Sequence, residues 1–212
     1  MRAGWPLEQV YVGEDVELDT VGVDAVRVAS GVLERVSTTV TPRPVVAVGR
    51  QRTVQLVSLP VLTFVVVLVD VADPGNLGTI VRTAEAAGAD AVVVCGGVDV
   101  FGPKCVRASA GSLFFMPIVR SAAARPVLDE LGAAGVRRLA TSSRAVTAYD
   151  AVDLRGPVAV VLGSEAHGLA DEVLTAVDET ISIPIAGQSE SLNVAGAAAV
   201  LCFEVARQRR DT

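Results

Sequence analysis

From residue 61 onward the chain alternates between unbroken apolar runs and stretches of helical spacing. Leu62-Thr63-Phe64-Val65-Val66-Val67-Leu68-Val69 is nearly continuous and rich in β-branched residues, the pattern of a strand covered on both faces of a parallel sheet. A turn at Asp73-Pro74-Gly75-Asn76 and a helix over Leu77 to Ala87 follow, and Gly88 marks the stop, because glycine accepts the left-handed backbone that ends helices. Ala91-Val92-Val93-Val94-Cys95 is the next strand, with further candidates at Arg138 to Thr141, Val158 to Leu162 and Ile181-Ser182-Ile183. A long Ala/Val-rich helix from about Leu192 to Gln208 carries Arg207, Arg209 and Arg210 at its negative end. Gly196 among its alanines predicts tight packing against another chain segment. Strand–helix alternation of this kind predicts an α/β fold with a parallel sheet.

The first fifty residues have a different texture. Gln9-Val10-Tyr11-Val12 and Val45-Val46-Ala47-Val48 read as strands, with a short helix over Gly31 to Val36 between them. Thr41-Pro42-Arg43-Pro44 is not helical, since each proline fixes φ and restricts its predecessor. We therefore divide the chain into a small module, 1–54, and a main domain, 55–212.

Composition narrows the function classes. With 212 residues, 51% hydrophobic and 20% charged, the chain can bury a core and is not disordered. The net charge of −6 disfavours a basic protein that coats nucleic acid indiscriminately. Its positive charge is almost wholly arginine, Lys104 being the only lysine; each guanidinium is a planar fork suited to phosphate or carboxylate. Cys95, Cys105 and Cys202 lack CxxC spacing and His167 is the only histidine. Neither a disulfide framework, a metal site nor a Ser-His-Asp triad is expected. The longest apolar run, 61–69, is too short to span a bilayer, no signal-peptide core follows Met1, and a reduced, cytoplasmic setting is the expectation.

Ligands of open α/β sheets bind beyond the carboxyl ends of the strands, and three loops there are unusual. The first, Asp73-Pro74-Gly75-Asn76 with Arg82 six residues on, offers Asn76 as a helix cap; a plain cap and a solvated arginine would read the same way. Neither GxxxxGK[ST] nor GxGxxG occurs, which weakens a phosphate-cradle nucleotide enzyme. The second is Gly163-Ser164-Glu165-Ala166-His167-Gly168, where a glutamate sits between glycines; a helix-entry turn is the plainer reading. The third, Ile183-Pro184 through Ser191-Leu192-Asn193-Val194, places two capping-type residues where the chain enters an apolar helix, Asn193 inside its first turn.

In this order, and with Pro103-Lys104-Cys105-Val106-Arg107-Ala108-Ser109-Ala110-Gly111 between the first and second loops, these motifs resemble the SpoU (TrmH-like) branch of the SPOUT RNA methyltransferases. The resemblance covers roughly Val65 to Arg210. It implies an S-adenosylmethionine-dependent homodimer that methylates ribose 2′-hydroxyls and carries a C-terminal trefoil knot. The implied catalytic residues are Asn76, Arg82, Glu165, Ser191 and Asn193. Donor binding would fall to Thr141, Gly163, Ile183, Gly187 and Leu192, and RNA contacts to Arg82, Arg107 and Ser109. Ala166 stands where the family often has glycine. The first fifty residues resemble part of the family's RNA-binding extension, lacking its opening strand and helix, as in a truncated module.

Free arginine loses its proton only near pH 12.5–13.8. Arg82 is therefore read as holding the target phosphate or ribose and stabilising alkoxide charge, rather than as a general base. Asn76 would orient the nucleotide or Arg82, Glu165 would anchor Arg82 or a neighbour, and Ser191 with Asn193 would shape the site. Ribosomal RNA is the expected substrate, with transfer RNA and a non-catalytic RNA-binding role as the alternatives.

Overall fold

The computed structural model describes residues 4–17, 24–37 and 41–210, which fall into two compact units, Met1–Arg52 and Thr53–Thr212. In the first unit, β1 (Leu7–Gly13) is central, and β2 (Ala25–Val28), α1 (Val32–Val36) and β3 (Val45–Gly49) follow it along the chain. β2 pairs with β1 in parallel and β3 pairs with it antiparallel. β2 was not foreseen: its first three side chains are exposed, so it leaves no apolar signature.

The second unit runs β4 (Phe64–Val69), α2 (Pro74–Ala86), β5 (Ala91–Cys95), α3 (Pro103–Ala108), β6 (Ile118–Ser121) and α4 (Ala124–Ala133). It continues with β7 (Arg137–Thr141), β8 (Thr147–Ala148), β9 (Val158–Leu162), α5 (Asp171–Leu174), β10 (Glu179–Ser182) and α6 (Val194–Arg210). The seven strands lie in the order β6-β5-β4-β9-β7-β10-β8 and every pairing is parallel. The parallel α/β sheet expected from the apolar runs is present. Successive residues of a strand face opposite ways, and both faces of β4 are covered. Phe64, Val66 and Leu68 pack with Leu77 and Ile80 of α2 and Ala198 and Leu201 of α6, whereas Val65, Val67 and Val69 pack with Val127, Leu128 and Leu131 of α4.

Two helix boundaries differ from expectation. α2 begins at Pro74, three residues early, because proline is tolerated in a first turn where no N–H partner is needed. Its cap is Asp73, which accepts the Asn76 N–H at 2.9 Å; Asn76 is thus inside the helix and its side chain is released for other bonds. At α6 the cap is Asn193 itself, whose Oδ1 accepts the Ala195 N–H at 2.8 Å, so it precedes the first turn.

The α6 carboxyl end is tied down by side chains. Arg209 donates to the carbonyls of Thr63, Gly156 and Leu154 and lies over the Phe64 ring, 5.6 Å from its centre. Gln208 accepts the Leu154 N–H and donates to the Val152 carbonyl, both within 2.9 Å. Arg209 therefore serves the segments that lead into β4 and β9, not the end of its own helix. Among the described residues no helix is long and apolar enough to cross a membrane.

Close helix packing occurs at Gly78, not at Gly196. A Cβ on Gly78 would lie 2.4 Å from the Cys105 carbonyl oxygen and 2.9 Å from the Ser109 nitrogen, whereas one on Gly196 would meet nothing within 4 Å. The tight packing expected at Gly196 is thus absent within this chain. Backbone atoms cannot swing aside, so Gly78→Ala must push α3 away from α2. We expect it to destabilise the protein by about 1–3 kcal/mol in urea denaturation, with a neutral result excluding this packing.

Candidate active site

β4 and β9 are neighbours in the sheet, Leu68 opposite Leu162. They lie at the point where the strand order reverses: β5 and β6 extend one way from β4, and β9, β7, β10 and β8 the other. Loops leaving such a point diverge and open a crevice. The loops after β7, β9 and β10 line a cleft of 680 Å³, whose walls include Thr141, Leu162, Gly163, Ile181, Ile183 and Leu192.

The second loop folds back on itself. Ser164 and Gly168 exchange backbone hydrogen bonds, at 3.2 and 2.8 Å. This closure brings Gly168 against Gly163, where a Cβ would sit 2.4 Å from the Gly168 carbonyl oxygen. Glycine is required at Gly163 by that contact. Glu165 projects from the closed loop and spans to the exit of β4. Its Oε2 accepts the Ala72 N–H at 3.1 Å and its Oε1 accepts the Asn76 Nδ2 at 2.8 Å.

Asn76 relays this grip onward. Its Oδ1 accepts the Asn193 Nδ2 at 3.2 Å, while the Asn193 Oδ1 caps α6. Three loops that are far apart in sequence are thus joined by one chain of side-chain bonds. Burial pushes the Glu165 carboxyl pKa up, but the Asn76 side chain and nearby backbone N–H groups outweigh it and hold the carboxyl below its ordinary range. A second bond braces the same helix start: Lys104 donates to Asp73 at 2.7 Å. That contact, followed by the Asn76 N–H, lowers the Asp73 pKa.

The sequence-predicted residues separate into three groups. Glu165, Ser191 and Asn193 line the cleft together with Thr141, Gly163, Ile183 and Leu192, and Asn76 lies behind them through its two bonds. Arg82 is exposed, outside the cleft lining, and makes no hydrogen bond or ion pair among the described residues. Six residues along α2 the helix has risen about 9 Å and turned about 240°, so Arg82 stands on a different face from Asn76. Glu165 accordingly anchors Asn76 and not Arg82. Gly187 is exposed and outside the cleft lining.

Ser109 requires correction. It is fully buried and its hydroxyl donates to the Val106 carbonyl at 2.7 Å, so it faces the interior and not RNA. Arg107 from the same motif is exposed. Sequence reasoning missed Arg144, which follows β7 and lines the cleft; it lies in no recognised motif.

Among the described residues no group of three His, Cys, Asp or Glu side chains is placed to hold a metal. Burial raises the thiols of Cys95 and Cys202 to about 12 and that of Cys105 to about 11, so they stay protonated and packed.

Residues 63–203 match the model of the SpoU rRNA Methylase family. The chain is 37% identical to the 23S rRNA (guanosine(2553)-2′-O)-methyltransferase RlmP of Bacillus subtilis, over 89% of this chain and 75% of that protein. It is 35% identical to the 23S rRNA (uridine(2479)-2′-O)-methyltransferase of Streptomyces viridochromogenes, over 97% of this chain and 78% of that protein. The crystal structure of the SpoU methyltransferase AviRb from Streptomyces viridochromogenes, in complex with AdoMet, superimposes with a TM-score of 0.89 at 32% identity, covering 100% of this chain and 86% of that one.

The carboxylate bridge has a measurable signature in pH. A depressed folded pKa adds stability above the unfolded value, near 4.5, and that stability fades as pH falls through the folded value. Glu165→Gln should therefore cost about 0.5–1.5 kcal/mol at neutral pH, with the gap to wild type closing below about pH 4.5. Urea titrations at pH 7 and pH 3.5 check this; a gap unchanged between them would show that the charge is irrelevant.

Proposed function

The chain belongs to the SpoU rRNA methylase family, and from that membership we propose that it transfers a methyl group to a ribose 2′-hydroxyl of ribosomal RNA. The observation that carries the reading is the single hydrogen-bonded chain from Asn193 through Asn76 to Glu165, at the rim of a cleft between three strand-end loops. The methyl donor is S-adenosylmethionine. The cleft suits it: 680 Å³ lies within the usual range of ligand sites, with apolar walls at Leu162, Ile181 and Ile183 and backbone polar groups at the Gly163 turn.

When bound, the donor supplies an electrophilic methyl on a sulfonium, so the protein has only to place a hydroxyl and manage its proton. Glu165 has both oxygens occupied and is ionised, which makes it a positioning group for Asn76. With its Oδ1 and one N–H engaged, Asn76 keeps its second N–H to orient a nucleotide. Ser191 and Asn193 shape the entrance beside Leu192. Arg82, exposed and unpaired, holds a phosphate or ribose and stabilises negative charge developing on the attacking oxygen.

A homodimer sharing its sites between protomers brings Arg82 of one copy to RNA bound at the cleft of another. Phe203 on α6 and Phe115 are 52% and 56% exposed, and apolar surface of this kind supports such an interface. The family's trefoil knot would form where the chain passes from β9 to α6, and the crossed strand order there supports it. The first unit adds RNA contacts, and a ribosomal RNA target fits a cytoplasmic protein.

Arg82→Ala should lower methyl incorporation into ribosomal RNA by about 10²–10³-fold while leaving the affinity for S-adenosylhomocysteine unchanged. Radiolabelled transfer to purified ribosomal and transfer RNA, with calorimetry alongside, measures both. Near-normal transfer by the variant would remove Arg82 from the site; methylation of transfer RNA alone would overturn the substrate.

A further inference from the structure

The cleft holds one cation that neither the motifs nor the chemistry of the transferring methyl accounts for. Arg144 is the only arginine or lysine among its lining residues. It sits at the carboxyl end of β7 on a turn fixed by its neighbours. Ser142 donates its N–H to the Ile181 carbonyl at 2.9 Å and accepts the Arg144 N–H on its Oγ at 3.2 Å, and Ala145 donates back to the Ser142 carbonyl at 3.2 Å. The guanidinium itself makes no hydrogen bond or ion pair among the described residues, although most arginines of this unit are paired.

Its charged neighbours in the cleft are Glu165, Asp171 and Glu190. The Glu165 carboxylate is taken up by Asn76 and Ala72, whereas the Asp171 and Glu190 side chains make no such bonds among the described residues. One unpaired cation and two unpaired carboxylates lining one cleft are complementary to a zwitterion. They are poorly suited to the RNA backbone, whose phosphates the two carboxylates would repel. S-adenosylmethionine ends in such a zwitterion, an α-amino and an α-carboxylate group on one carbon.

Resting on the donor reading above, we propose that Arg144 binds the carboxylate of the donor's amino-acid end. The adenosyl part then occupies the apolar walls, and the sulfonium carbon chain bends from there back to the β7 turn. An arginine fork grips a carboxylate bidentately, so the residue sets which sulfonium compounds are accepted without touching the transferred methyl.

The test compares two ligands that differ in that end alone. S-adenosylhomocysteine carries it, and 5′-methylthioadenosine, with the same adenosyl sulfur, lacks it. By calorimetry, Arg144→Gln should weaken S-adenosylhomocysteine about tenfold and leave 5′-methylthioadenosine within about twofold. Retained binding of the second ligand shows that the variant is folded. Equal losses for both ligands, or no loss for either, overturn the inference while wild-type binding keeps the donor reading intact. A variant that loses affinity for ribosomal RNA and not for S-adenosylhomocysteine assigns Arg144 to phosphate and also overturns it. If the wild type binds neither ligand, the donor reading falls, and this inference with it.

Discussion

The grip of one carboxylate on two loops is the constraint on which the site depends. A parallel sheet delivers its strand ends side by side, but the loops beyond them leave the sheet independently and carry little apolar side chain to hold them. Glu165 closes that gap with one oxygen on the Ala72 backbone and the other on the Asn76 side chain, positions 93 and 89 residues away. Asn76 extends the connection to Asn193, 117 residues along the chain. Because Asn193 is also the α6 cap, displacement of any member disturbs the start of the last helix. A charge-assisted acceptor is stronger than a neutral one, and the Asn76 side chain and backbone N–H groups outweigh the desolvation of the carboxyl and hold its pKa low.

Much of the sheet was legible because burial on both faces leaves an unmistakable record. Val158–Leu162 and Ala91–Cys95 have five buried residues each, with no polar interruption. Strands that lack this record were missed. Ile118–Ser121 contains Arg120 and ends in a serine, and β2 is mostly exposed. The amphipathic α4 was hidden by Pro126, harmless in a first turn. At the site, spacing could name Asn76, Glu165 and Asn193 separately, yet their meeting depends on β9 lying against β4, a neighbour relation between strands distant in sequence. Which way Asn76 turns its amide follows from partners that no local pattern contains. The Ser109 error has the same origin, because a serine beside Arg107 reads as surface until α3 is packed.

The acidic balance of the chain gains a structural explanation from the fate of its arginines. Arg138 is committed to Asp178 at 2.7 Å, Arg155 to Asp153 at 2.8 Å, and Arg207 to Glu204 at 2.7 Å. Arg137 is paired with Glu179, and Arg209 is spent on backbone carbonyls. Guanidinium groups used this way contribute structure and cannot release counterions from RNA. A binder with few available cations has a shallow salt dependence and little affinity for arbitrary RNA, so discrimination has to come from shape and from placed contacts. Among the described residues Arg82 and Arg144, like Arg210, are unpaired, and of these only Arg144 lines the cleft. On the roles proposed for them, the two cations Arg82 and Arg144 divide the labour between RNA and donor, and Asp171 and Glu190 of the same cleft repel RNA phosphates from the donor's place. On that reading the acidity that argues against a non-specific RNA coat also serves the donor end proposed for the cleft.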